Sequence, residues 1–96
     1  MLNPKQRAFL RKEANSLNPI FQIGKAGVTP DMVDAVSDAL EKRELIKVGV
    51  LKNCEEEMSL VADKLSKRTH SEVVQIIGRK FVLYRAAKEP KLELPK

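Results

Sequence analysis

Two glycines that bracket two residues, in the segment Gly24-Lys25-Ala26-Gly27, form the pattern of this chain best suited to bind a ligand. Glycine suits neither helices nor strands, so this pair indicates a backbone that bends sharply or approaches another group closely. The segment follows an apolar run and precedes a predicted helix, a junction where ligands collect in open α/β sheets. Exposed backbone amides and the Lys25 ammonium group would favour a phosphate there, and KH domains contact a nucleotide backbone through the same spacing of glycines. The alternative is a tight turn without a ligand.

Other kinds of chemistry are poorly supported. The loop is shorter than a Walker loop, lacks Lys-Ser or Lys-Thr after its second glycine, and is not a dinucleotide fingerprint. Cys54 and His70 are the only thiol and imidazole, and we expect a helix of roughly 15 residues, at about 1.5 Å per residue, to hold them about 20 Å apart. The acids at 55–57 point in different directions on a helix and are better explained as first-turn residues. We therefore expect no catalytic residue, no metal site and no cofactor.

The charges are distributed unevenly along the chain. The net charge of the 96 residues is +5, but residues 1–28 carry +4, residues 29–57 carry −4 and residues 58–96 carry +5. This distribution indicates one face turned towards a polyanion, although mixed charge also keeps a protein soluble. The start of the chain resembles no signal peptide, no run is long enough for a membrane span, and a single cysteine fits a reducing compartment. We expect a cytoplasmic monomer without membrane contacts.

Capping signals and apolar periodicity predict seven elements around the glycine loop. Asn3-Pro4 starts a first helix that ends near Ser16, and "PIFQI" (19–23) is a short strand. Thr29-Pro30 starts a second helix to about Arg43, and "LIKVGV" (45–50) alternates like a half-buried strand. Asn53 is predicted to cap a third helix, with Glu56 completing a capping box. "EVVQIIGRKFVLYRA" (72–86) is predicted to form a hairpin.

The element order α-β-α-β-α-β-β predicts a single α/β domain with a four-stranded mixed sheet and helices on both faces. Two successive strand-helix-strand units favour parallel neighbours, and the hairpin adds an antiparallel pair. Because both hairpin strands are almost continuously apolar, we expect both of their faces to be covered. The strand order does not follow from the sequence. We assign residues 1–86 to the domain and residues 87–96 to a charged tail that is extended or loosely docked.

Three segments together resemble one known family. "IFQIGKAGVTPDMVDAVSDALEKRELIKVGVL" and "VVQIIGRKFVLYR" contain a GKxG loop, an "ELIKV" strand and an "IIGRKFVLYR" hairpin. This combination resembles the CRM domain, and most of all its stand-alone bacterial form, the YhbY family. The resemblance runs from about Leu2 to Arg85. It implies a fold like that of the C-terminal domain of bacterial initiation factor three.

The resemblance also implies a function. Proteins of this kind are non-catalytic RNA-binding modules, and the bacterial form is expected to contact ribosomal RNA in precursors of the large ribosomal subunit. The implied contacts with the RNA backbone are the loop, the basic residues of the first helix and the end of the last strand: Gly24, Lys25, Ala26, Gly27, Arg7, Arg11, Lys12 and Arg85. Arg79 and Lys80 are secondary candidates that could equally be solvated hairpin residues. With no Trp, one Tyr and three Phe, backbone and shape recognition fit better than stacking on aromatic side chains.

A second function class is a protein-interaction module. The predicted second helix carries an acidic stripe on its outer side, formed by Asp31, Asp34, Asp38 and Glu41. Such a stripe is suited to docking a basic ribosomal protein, which would make the chain a ribosome-associated adaptor. A solvated helix face is the simpler explanation, and the stripe could also keep RNA away from that side.

Overall fold

The computed structural model describes residues 2–95, and it confirms the predicted order of seven elements. The helices and strands are α1 Pro4–Ala14, β1 Pro19–Ile23, α2 Pro30–Arg43, β2 Leu45–Val50, α3 Met58–Thr69, β3 Glu72–Ile77 and β4 Lys80–Tyr84. None of the helices in this part of the chain is long and apolar enough to cross a membrane.

The four strands form one mixed sheet in the order β1-β2-β4-β3. β1 and β2 are parallel neighbours, as predicted, whereas β4 pairs antiparallel with both β2 and β3. The prediction of parallel neighbours is therefore wrong for β2 and β3. β4 returns from the hairpin and lies between them, so those two strands run in the same direction without touching.

Two apolar layers lie on the two faces of the sheet, which confirms helices on both sides. One layer joins the sheet to α2 and α3, and its fully buried side chains include Ile23, Val36, Leu40, Ile46, Val48, Val61, Leu65, Phe81 and Leu83. The other layer joins α1 to the opposite face through Leu10, Ala14, Leu45, Val74, Val82 and Tyr84. This second layer is smaller because α1 is a single short helix, so much of that face stays open.

Caps set the helix ends, and two of the predicted ends need correction. The Asn3 side chain accepts the Gln6 N–H at 2.8 Å, and the Gln6 side chain accepts the Asn3 N–H. Together these two bonds form a complete capping box. α1 ends at Ala14, two residues earlier than predicted. α3 begins only at Met58, so the prediction that Asn53 caps it is wrong. Residues 51–57 instead form a turn and an extended segment, because Cys54 is buried and draws the chain into the core.

The outer hairpin strand is more exposed than predicted. β4 is central and buried on both faces, as its apolar sequence indicates. β3 is an edge strand, however, and Ile76 and Ile77 near its end are 42% and 58% exposed. The prediction of two fully covered strands is therefore wrong for the end of β3. Ile77 pairs with Lys80 on the face of α1, which ends before it covers this pair, and Ile76 pairs with Phe81 on the face of α2 and α3, where the edge strand is left open.

The tail is held more firmly than its composition indicates. Glu44, at the C-cap of α2, is fully buried and accepts backbone N–H groups of Ala87, Lys91 and Leu92. Leu92 and Leu94 pack on the layer under α1. A buried carboxylate between the domain and the tail thus fixes the direction of the tail. The proposed division at residue 86 stays a prediction.

Candidate nucleic-acid interface

The glycine loop is an exposed turn at the carboxyl end of β1. The Gly27 N–H donates to the Gly24 carbonyl at 3.0 Å, which places Lys25 and Ala26 at the tip of the turn. Both tip residues are exposed, while Gly27 is buried with φ of +69°. The loop therefore presents the Lys25 side chain and a short stretch of uncluttered backbone to solvent.

Two other turns lie beside this loop and are tied to it through β2. The Leu51 N–H donates to the Ile23 carbonyl at 2.8 Å, and the Cys54 N–H closes a turn on the Leu51 carbonyl at 3.1 Å. The Val50 N–H donates to the Arg79 carbonyl of the hairpin turn at 2.7 Å. We call this region the loop end of the sheet: the glycine loop 24–27, the turn 51–54 and the hairpin turn 78–79.

Arg79 fastens the hairpin turn to this end. Its guanidinium group donates to the Val50 carbonyl at 3.0 Å and to the Leu51 carbonyl at 2.6 Å. These acceptors are neutral, so they orient the guanidinium group without cancelling its charge. Arg79 thus has a structural role, and it still adds positive charge at the same end of the sheet as Lys25.

A lysine-bearing part of the sheet adjoins the loop end. Lys80 lies opposite Gly49 on β2 and opposite Ile77 on β3, and Lys47 lies opposite Val82. Their side chains share the face on which α1 packs, because side chains alternate along a strand and Val82 belongs to the α1 layer. α1 ends before it covers Lys80. The sequence therefore predicted Lys80 as a secondary contact but overlooked Lys47, whose position only the sheet register reveals.

The basic residues of α1 divide into two groups. Arg11 and Lys12 are exposed in the last turn, and that end of the helix lies over the lysine-bearing part of the sheet. Arg7 is half-buried one turn earlier, and its Nη1 donates to the Val73 carbonyl at 2.8 Å. Arg7 therefore anchors α1 on the edge strand, while Arg11 and Lys12 face solvent near the loop end.

Arg85 lies away from this region. It follows Tyr84, which pairs with Leu45 at the opposite end of β2 from the loop. Its guanidinium group donates to the Ser37 hydroxyl at 3.0 Å and to the Thr69 carbonyl at 2.7 Å, and its side chain is only 20% exposed. The structure thus gives Arg85 internal partners and does not bring it together with the loop.

Acidic residues limit the positive surface on one side. Asp31 lies in the first turn of α2, where it uses part of the favourable potential that a phosphate would need. Glu56 lies next to Gly27 and forms an ion pair with Lys64. The residues that remain free to attract an anion lie towards α1 and the hairpin.

Lys52 and Asn53 complete the list of neighbours that sequence reasoning missed. Both are exposed at the tip of the turn 51–54, and the Asn53 side chain lies next to Gly24. The available signal was the parallel pairing of β1 with β2, since the carboxyl ends of parallel strands meet at the same end of a sheet. This signal was missed because Asn53 looks in sequence like the cap of a helix.

The residues weighed as catalytic or metal-binding candidates are separated in the fold. Cys54 is buried in the layer under α2 and α3, whereas His70 is exposed at the C-cap of α3. Within residues 2–95, no group of three or more His, Cys, Asp or Glu side chains is arranged to hold a metal ion.

Gly27 provides a test of the loop geometry. Replacing it by alanine is expected to lower the free energy of unfolding by about 1–2 kcal/mol, because a β-carbon at positive φ is strained. That carbon would also lie 2.9 Å from Glu56 Oε1. Gly24→Ala is the matched control: its β-carbon meets Asn53 and Leu51 at 3.4 and 3.5 Å, so a change within about 0.5 kcal/mol is expected. Urea denaturation measures both. Equal losses would show that the two glycines are not conformationally different.

These features define an α/β module with a positively charged loop end and a partly open sheet face. The family model for the CRS1/YhbY (CRM) domain matches residues 2–85, and the chain belongs to that family. The chain is 53% identical over 96 residues to the Bacillus subtilis protein named "Probable RNA-binding protein YqeI", covering 99% of this chain and 100% of the relative. A Haemophilus influenzae protein named "RNA-binding protein" is 37% identical over 95 residues, covering 99% of this chain and 96% of the relative.

A solved structure supports the same fold. The solution structure of SAV1595 from Staphylococcus aureus is similar with a TM-score of 0.84 and 49% sequence identity, covering 99% of this chain and 100% of that one. The similarity to initiation factor three stays a prediction.

Proposed function

We propose that this protein binds RNA through the phosphate backbone and that it does so without catalysis. One observation supports this proposal most directly. Main-chain hydrogen bonds join three turns, and they hold Lys25 and Arg79 at one end of the sheet. Lys80, Arg11 and Lys12 extend the same positive region. The names of the relatives, given above, support RNA as the partner.

Backbone recognition fits the chemistry of these residues. Lysine and arginine contact phosphate oxygens without reading sequence, and the exposed loop backbone allows close approach. Phe81 is fully buried, Tyr84 is 8% exposed, and both belong to the apolar layers of the core. They are therefore not available as stacking platforms.

The biological RNA is proposed to be ribosomal RNA in precursors of the large subunit. The test is sedimentation of the purified protein with a bacterial lysate, in which we expect co-migration with these precursors. Anisotropy of a labelled short single-stranded RNA, measured from low to high salt, is the parallel test. If about five phosphates are contacted, the slope of log affinity against log salt is expected near −3.5. Binding of the short RNA without co-migration would contradict the ribosomal assignment alone, and a slope near zero would contradict backbone binding.

A protein contact through α2 is the second candidate. Asp31, Asp34 and Asp38 are exposed on the side of the molecule opposite α1, so the acidic stripe survives folding. Glu41 is less available to a partner protein, because its carboxylate accepts the Lys88 N–H at 3.0 Å and lies 3.7 Å from the Arg85 guanidinium group. If Asp34→Lys abolishes co-migration with ribosomal particles while affinity for the short RNA is unchanged, the adaptor function is favoured.

A further inference from the structure

A cavity of about 160 Å³ lies between the end of α1 and the open part of the sheet. Ala14 and Val82, both buried, form its floor, and Ile77 of the edge strand forms an exposed apolar wall. A cavity of about 150 Å³ is large enough to take up benzene. The cavity therefore has the size and the apolar lining for one planar ring.

Polar residues also line the cavity, and they carry groups that can recognise the edge of a nucleobase. Asn15 and Gln75 line the cavity, and the side-chain amide of each offers a donor and an acceptor. The hydrogen bond at the C-cap of α1 uses the backbone N–H of Asn15, at 3.2 Å from the Lys12 carbonyl. The side-chain amide of Asn15 is not needed for that cap and is exposed.

Two lysines at the rim supply a charge that matches a nucleic acid. Lys47 and Lys80 line the cavity from β2 and β4. Their aliphatic stems can pack against a ring while their ammonium groups meet the flanking phosphates. Lys80 also follows the hairpin turn 78–79, so the cavity adjoins the loop end of the sheet. A backbone held at the loop end would place a neighbouring base at this cavity.

The geometry points to a binding pocket for a single unstacked RNA base, formed by Asn15, Gln75 and Ile77 over the floor of Ala14 and Val82. This inference rests on the proposed RNA-binding function and adds a contact to a base. Single-stranded RNA is recognised through bases that are splayed out of the stack and hydrogen-bonded on their edges. None of the residues that the structure describes along this cavity is aromatic, so here apolar side chains take the place of an aromatic platform.

The test compares two probes that carry the same phosphates. One is a short oligouridine, and the other is the same oligonucleotide with abasic residues. We expect the protein to bind oligouridine about tenfold more tightly, because a base adds apolar contact and edge hydrogen bonds that the abasic probe lacks. Gln75→Ala is expected to reduce this ratio several-fold and to leave affinity for the abasic probe unchanged. Gln22→Ala is the matched control, because Gln22 lies over Gly49 on the same face but outside the cavity.

The outcomes separate this inference from the proposed function. Equal, salt-dependent binding of both probes, or a ratio that Gln75→Ala leaves unchanged, would overturn the base pocket while RNA binding stands. Failure to bind either probe would overturn both. Side-chain amide NMR signals of Asn15 and Gln75 in the unaltered protein give an independent readout. They are expected to shift with oligouridine and not with the abasic probe, and the absence of such a difference would also overturn the pocket.

Discussion

Glu44→Ala is expected to lower the free energy of unfolding by about 3 kcal/mol and to release the C-terminal tail. The Glu44 carboxylate is fully buried and accepts three backbone N–H groups of the tail. Hydrogen bonds to a charged group contribute about 1.5–3 kcal/mol each. Adding the three contributions would overstate the loss of stability, because the N–H groups of a released tail form hydrogen bonds with water instead. Urea denaturation measures the loss, and amide exchange at Ala87 and Leu92 reports the release.

Glu41→Ala is the matched control for this substitution. Glu41 is also on α2 and also accepts a backbone N–H of the tail, from Lys88, but it is exposed. Its loss is expected to cost no more than about 1 kcal/mol. Alanine at position 44 keeps the β-carbon at φ of +64°, so backbone strain is retained and the change reports the carboxylate. Similar losses in the two variants would contradict a special role for Glu44.

The contribution of Glu44 depends on pH. Burial raises the pKa of its carboxyl group. The three backbone donors and the nearby Lys91 charge together lower it by more, so the net pKa lies below 4.5. The stabilisation is therefore fully present above pH 4.5 and is lost as the pH falls through the lowered value of the folded state. The stability difference between wild type and Glu44→Gln is expected to shrink between neutral and strongly acidic pH. A constant difference would contradict this assignment.

Lys25→Glu is expected to weaken binding of a short single-stranded RNA about tenfold at about 0.1 M salt. Loss of one phosphate contact reduces the slope of log affinity against log salt by about 0.7, which corresponds to about fivefold weaker affinity at that salt. The new carboxylate also repels the RNA phosphates and weakens binding further. Lys25 is exposed at the tip of a turn, so stability is expected to be unchanged. Anisotropy titrations at several salt concentrations measure both affinity and slope, and thermal unfolding checks the fold.

Lys88→Glu is the control for net charge. Lys88 is exposed on the tail, beside α2 and away from the loop end, so it alters the total charge by the same amount. We expect less than a twofold change in affinity, because the residue lies beside Glu41 near the end of α2, away from the proposed contacts, and salt screens exposed charges. Equal weakening by both variants would mean that binding follows net charge, and the glycine loop would then be only a turn.

The sequence alone determined the local structure well. Asn3 and Thr29 accept the capping N–H groups that were predicted for them, because a cap depends on residues only three positions apart. β1 and β2 were placed correctly for a similar reason, since strand signals lie in short segments. β2 is buried on both faces, however, so its predicted half-buried alternation is wrong. The glycine loop was likewise placed at a strand-to-helix junction. Which of its neighbours contact RNA stays a prediction.

Only the tertiary structure decided which distant residues meet. The insertion of β4 between β2 and β3 carries Lys80 to the loop end and places Lys47 on the open face, while Arg85 goes to the other end of the sheet. The burial of Cys54 turned an apparent helix start into a turn beside the loop. Glu44 looks in sequence like one more acid of α2, yet it is the buried anchor of the tail. Each of these outcomes depends on packing between segments that are far apart along the chain, which local sequence signals do not report.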